Sequence, residues 1–150
     1  MNRLKVIVVT VAIFGLLVWG MFKFVDFRLS SFAGTEPTAA QFHSRLVTEN
    51  VSSEFYLPSQ ARNVSYVLQP NIGRYFITAS ITEKDFLNWL SKHTETSVFE
   101  INGQRTVRWM DEKGKQTELD FFDGLESNLC GGKVIYCRDE GRLFFWDVGG

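Results

Sequence analysis

Histidine and cysteine are nearly missing from this chain, with two of each in 150 residues. That scarcity removes most ways of building a zinc site, which takes about four such ligands. It also leaves nucleophilic catalysis short of bases, since only His43 and His93 offer an imidazole. No Gly-x-Ser-x-Gly elbow is present, and Gly131-Gly132 lacks the pattern of a phosphate-binding loop. Proline is scarce too, with three residues, and there is neither an internal repeat nor a low-complexity tract. Excess charge is lacking, the net value being −1. Beyond Arg28 there are 12 basic and 16 acidic residues, a net of −4. A nucleic-acid binder would show a basic face, so that class is excluded. No polybasic cluster follows the N-terminal region to dock on anionic headgroups.

What the sequence does have is one long apolar run. Val6 to Phe22 is 17 residues without an ionisable side chain, bounded by Lys5 and Lys23. As a helix it covers about 25 Å, against a hydrocarbon core of about 30 Å. Phe24 and Val25 extend it if Lys23 snorkels. Eleven of its residues are Val, Ile, Leu or Phe, and at about −0.3 to −0.6 kcal/mol each these favour insertion. The candidate signal-peptide cut sites, Val18-Trp19-Gly20 and Ser31-Phe32-Ala33, are poorly placed, so the run reads as a retained membrane anchor. Basic residues lie on both sides of it, and the short N-terminal tail favours an N-in, C-out orientation. The expected organisation is a signal anchor over 1–25, a juxtamembrane linker over 26–34 and an extracytoplasmic domain over 35–150.

The expected fold class is α+β: an N-terminal transmembrane helix, then two helices packed on a mainly antiparallel sheet of about six strands. One helix is predicted from Glu36 to Asn50, with Pro37 in its first turn and Ala39, Phe42, Leu46 and Val47 at helical spacing. A second starts at Thr82, which closes a capping box with Asp85, and places Phe86, Trp89, Leu90 and His93 on one face. Asn63–Gln69 and Arg74–Ile81 read as a strand pair. Asn102-Gly103 predicts a two-residue hairpin turn that sets Glu100 opposite Arg105. Strands are also predicted to end at Trp109, over Gln116–Phe122, and as a hairpin over Lys133–Arg138 and Leu143–Val148, with residues 123–132 irregular.

Candidate functional residues are few. Cys130 and Cys137 suit a disulfide outside the cytoplasm if Gly131-Gly132 folds the chain back. Glu118, Asp120, Asp123 and Glu126 offer oxygen ligands, but their spacing matches no EF-hand, and they read as a solvated acidic edge. His43 reads as a rim histidine on its helix. Asn50-Val51-Ser52 and Asn63-Val64-Ser65 are glycosylation triplets, relevant only on a eukaryotic secretory route. The surplus is aromatic: 14 Phe, four Trp and four Tyr. Alternation along strands turns one of each adjacent pair outward, so Tyr75, Phe121, Phe144 and Trp146 are candidates for a partner-binding patch.

Two segments carry a resemblance. Leu57-Pro58-Ser59-Gln60-Ala61-Arg62-Asn63-Val64 is a Leu-Pro-x-x-Ala-x-Asn-aliphatic run before a strand. Ile81-Thr82-Glu83-Lys84-Asp85-Phe86-Leu87-Asn88-Trp89 is a capped helix with Phe and Trp. Together they resemble uncharacterised small membrane-anchored or exported bacterial proteins, which implies a bacterial envelope location and assigns no catalytic residue, cofactor or ligand. The function expected from the whole sequence is a single-pass membrane protein, in a bacterial inner membrane and facing the periplasm or exterior. Its role is non-enzymatic: protein binding or envelope assembly. The alternatives are a small-ligand sensor domain and a hydrolase-like enzyme using His93 or Cys130.

Overall fold

A computed structural model describes residues 3–28, 32–49, 51, 56–69, 73–93, 97–111, 113, 115–129 and 131–148. The chain divides into two units, Met1–Ser30 and Ser31–Gly150. The first holds helix α1, Arg3–Arg28. Its described apolar side chains, among them Val9, Phe14, Leu17 and Trp19, are exposed except for half-buried Val18.

The second unit is a seven-stranded sheet in the order β1-β2-β3-β7-β6-β5-β4, antiparallel throughout. Its strands are β1 (Phe32–Thr38), β2 (Arg62–Gln69), β3 (Arg74–Ser80), β4 (Val98–Met110), β5 (Gln116–Leu129), β6 (Gly132–Cys137) and β7 (Arg142–Val148). Two short helices, α2 (Ala39–Thr48) and α3 (Glu83–Leu90), complete it. The expected fold class is therefore corrected. The molecule is mainly a seven-stranded antiparallel sheet with three helices, and among the described residues no helix is long and apolar enough to cross a membrane.

The seventh strand comes from the end of the expected linker and the start of the expected first helix. Residues 32–38 pair with β2 from Phe32↔Leu68 to Thr38↔Arg62. Pro37 is tolerated because β1 is an edge strand and owes the ladder no second donor. The helix starts only at Ala39, where the Thr38 hydroxyl caps the Gln41 amide at 3.3 Å. At α3 Thr82 is the N-cap, as its sequence dictates. The Asp85 amide donates to Thr82 Oγ1 at 3.2 Å, and the Thr82 hydroxyl donates to Asp85 Oδ2 at 2.7 Å.

Strand alternation divides the core in two. On the first face Tyr66, Ile77, Phe145, Val134 and Tyr136 pack under Phe42 and Leu46 of α2 and Phe86 and Trp89 of α3. Phe86 stacks on Tyr136 with centroids 5.0 Å apart, and the Trp89 indole donates to the Tyr56 carbonyl at 3.0 Å. The intervening residues of the same strands, Ile135, Cys137 and Phe144, point to the second face.

That second face is covered by the chain's own longest hairpin. Only residues 124–129 of β5 pair with β6. The remainder pairs with β4 alone and forms an arm, which sets Val107 and Phe121 against Ile135 and Phe144. Asn102-Gly103 does not turn the chain. It lies in a register shift within β4, between Asn102 and Arg105, with Gly103 at φ 134°. Asn-Gly permits a bulge as readily as a turn, and Glu100 consequently pairs with Leu125, not Arg105. The reversal is made after Met110. There Asp111 Oδ1 accepts the Lys113 and Lys115 amides at 3.0 and 2.8 Å. Residues 123–129, expected to be irregular, are strand because β6 supplies them with a partner.

Candidate functional site

Where the arm ends, a cleft opens on the second face. It has a volume of about 530 Å³. Thr35, Glu36 and Pro37 of β1, with Asn63 and Ser65 of β2, form one side. Thr78 of β3 and Arg142 of β7 lie between, and Trp109, Asp111 and Thr117 close it from the arm. The register explains the grouping. Ser65 is opposite Thr78, and Thr78 is opposite Phe144. Arg142 is opposite Ser80, which makes it a diagonal neighbour of Thr78, within reach of a long side chain.

Two features set this cleft apart from ordinary surface. The first is unmet polarity. Thr78 is 3% exposed, yet its Oγ1 has no hydrogen-bond partner, and neither does the buried Nε of Arg142. Leaving such buried atoms unpaired costs about 1–3 kcal/mol each. The second is backbone conformation. Among the described residues Asn63 is the non-glycine with positive φ, at 48°, inside a register shift of β2 between Arg62 and Ser65. Asn tolerates that left-handed region better than most side chains. Trp109 is held firmly, its ring centroid 5.0 Å from that of buried Phe144.

Elsewhere, Arg138 forms the densest charge cluster. Its guanidinium reaches Glu83 of α3 at 2.8 Å and Glu100 of β4 at 2.9 Å, and it also pairs with Asp123 of β5. The three acids hold its pKa above the ordinary arginine value. This is a structural tie with every donor in use, not a free site.

The sequence candidates scatter. Tyr75 is partly buried on the first face, while Phe121 and Phe144 are each 1% exposed in the second core and Trp146 packs partly against it. They make no single exposed patch, because the arm, which carries Phe121, covers the face on which Phe144 and Trp146 lie. Cys137 is a buried free thiol, pushed up in pKa chiefly by burial, and Cys130 lies outside the described residues. The expected disulfide is not formed at Cys137, which is free and buried at the end of the extended strand β6. His93 sits past α3, edge-on to Trp89 at 5.6 Å, with none of the cleft residues beside it. Of the acidic residues, Glu118 pairs with Arg108 at 2.8 Å and Glu126 with Lys133 at 2.7 Å. Asp120 accepts from Thr106 at 2.6 Å. Each has its own partner, and among the described residues no group of acidic, His and Cys side chains converges on a metal position.

His43 is the titratable group with a pH consequence. Its ring packs between Phe42 and Tyr56, its Nε2 lies 3.4 Å from the Leu57 carbonyl and its Nδ1 is buried without a partner. Burial lowers its pKa, against a smaller opposing effect of the Leu57 carbonyl. The unfolded chain therefore takes up the proton more readily than the folded one. Stability is complete above the unfolded value of about 6.5 and falls as pH drops below it. His43→Gln is expected to flatten that fall. Urea unfolding at about pH 7.5 and about pH 5 checks it, and an unchanged slope would exclude His43 as the source.

None of Arg142, Thr78, Trp109 and Asp111 was singled out by sequence as a site residue, and Asn63 drew notice only as a glycosylation triplet and in the run before β2. The signal within reach was the Asp111 turn, which places Trp109 and Thr117 opposite each other. The remainder of the cleft depends on strand order. No family model, no curated protein and no solved structure matches this chain.

Proposed function

We propose that the protein is a non-enzymatic binding domain of a bacterial cell envelope, held at the membrane by the apolar residues of α1. The attachment is supported by the eight exposed large hydrophobics between Val9 and Met21, each more than half exposed. Such a surface is unfavourable in water and favourable against lipid. The binding role is carried by one observation: the cleft on the second face keeps the Thr78 hydroxyl and the Arg142 Nε buried and unpaired. Natural folds pair such atoms, and a site awaiting a ligand is a standing reason not to. Of the sequence-based alternatives this favours the small-ligand sensor, with a polar cleft over the sheet in place of an apolar pocket under a helix.

The test is to block the cleft without touching the core. Thr35 is exposed on edge strand β1 and lines the cleft, so Thr35→Trp fills it with a residue strands accept. Thermal unfolding of the full chain in detergent is followed with and without a small-molecule extract of bacterial envelopes. Ligand at about 100 times its Kd adds about 2.7 kcal/mol, a shift of several degrees in Tm. The wild type is expected to shift and Thr35→Trp is not. No shift in either, or equal shifts in both, would remove the cleft as the working site.

A further inference from the structure

Resting on the cleft as the working site, we propose that its ligand is an uncharged, hydroxyl-rich molecule, a saccharide of one or two rings. Charge decides first. The lining carries one guanidinium, Arg142, against two carboxylates, Glu36 and Asp111. A free anion would satisfy Arg142 while facing both acids, and a cation would face the reverse conflict. A neutral hydroxyl serves either partner, accepting from a guanidinium and donating to a carboxylate.

Hydrogen-bond chemistry points the same way. The Arg142 Nε can only donate, whereas the Thr78 Oγ1 needs a partner that gives and takes. Adjacent hydroxyls on one ring supply both at the spacing of diagonal neighbours on paired strands. Thr35, Ser65 and Thr117 extend this polar lining.

Shape is the third argument. Trp109 closes the cleft from the arm, half-buried and backed by Phe144. A fixed indole gives an apolar wall to the C–H face of a pyranose while the ring's hydroxyl edge turns to the strands. A volume of about 530 Å³ falls within the usual range for small-ligand sites.

The experiment titrates the full chain in detergent with glucose, N-acetylglucosamine, glucuronate and inorganic phosphate. It reads the Trp109 indole signal by NMR, assigned with Trp109→Phe. Either neutral sugar is expected to move that signal, and glucuronate and phosphate are expected to bind no more tightly than it does. Thr78→Val keeps the branched shape, removes an unpaired hydroxyl, and is expected to fold at least as well while binding sugar about tenfold more weakly. Arg142→Gln gives a second, independent loss. Tighter binding of phosphate or glucuronate would make this an anion site and overturn the saccharide assignment. So would neutral sugars that leave Trp109 unmoved while Thr35→Trp still abolishes stabilisation by the envelope extract. That last result keeps the cleft as a site and rejects the sugar, whereas loss of both effects rejects the two readings together.

Discussion

Phe144→Ala is expected to destabilise the protein by about 3–5 kcal/mol, against a total for an ordinary domain of about 5–15 kcal/mol. Phe144 is 1% exposed and stands at the centre of the second core with Ile101, Val107, Phe121 and Ile135. Its neighbours belong to strands already fixed by ladder hydrogen bonds, so they relax poorly into the space and the cavity persists. The same ring backs Trp109, so the indole loses its support and the arm its main anchor on the sheet. Phe144→Leu keeps most of the volume and is expected to cost under about 1.5 kcal/mol. Denaturant unfolding of the full chain in detergent gives both values. A loss below about 1 kcal/mol for the alanine variant would mean that the arm is not packed on this face.

Arg138→Gln is the second large effect, at about 2–3 kcal/mol. One side chain ties α3, β4 and β5 together through Glu83, Glu100 and Asp123. Hydrogen bonds to charged groups contribute roughly 1.5–3 kcal/mol when well sheltered. The three acids are 38%, 56% and 49% exposed at their side chains, so solvent screening keeps the total well below the sum. Removing the guanidinium also leaves three carboxylates facing one another. The cost is expected to shrink in concentrated salt, because like-charge repulsion and ion pairing are both screened. Combining Arg138→Gln with Glu83→Gln isolates the pair, and strict additivity of the two losses would show that this contact contributes nothing.

These two residues show what sequence reading reached and where it stopped. Periodicity and capping made α3 legible, because everything that sets it lies within Thr82–Leu90. The β2–β3 and β6–β7 hairpins were legible for the same reason. Pro37 misled, since a proline fits the first turn of a helix and an edge strand equally well, and only the pairing of residues 32–38 with β2 decides between them. Asn102-Gly103 misled likewise, as a bulge and a turn use the same conformational freedom. The partner patch failed for a longer-range reason. Phe121 and Phe144 are 23 positions apart and share a core only because the arm folds across β6 and β7. The cleft was out of reach altogether, as its residues come from six strands and meet only in the finished sheet.

The strand order has a kinetic consequence. Strands β1, β2 and β3 form one sequential meander, and β4 to β7 form another. The two meet at a single seam, from Arg74↔Val148 to Ser80↔Arg142. Each half is assembled from near neighbours and closes quickly. The seam joins residues about seventy positions apart, so its loop closure sets the pace of the whole reaction. Until β7 pairs with β3, each half presents an open edge, and those edges are the surfaces on which misassociation between chains would begin. Strand β7 is therefore the clasp that closes both exposed edges at once.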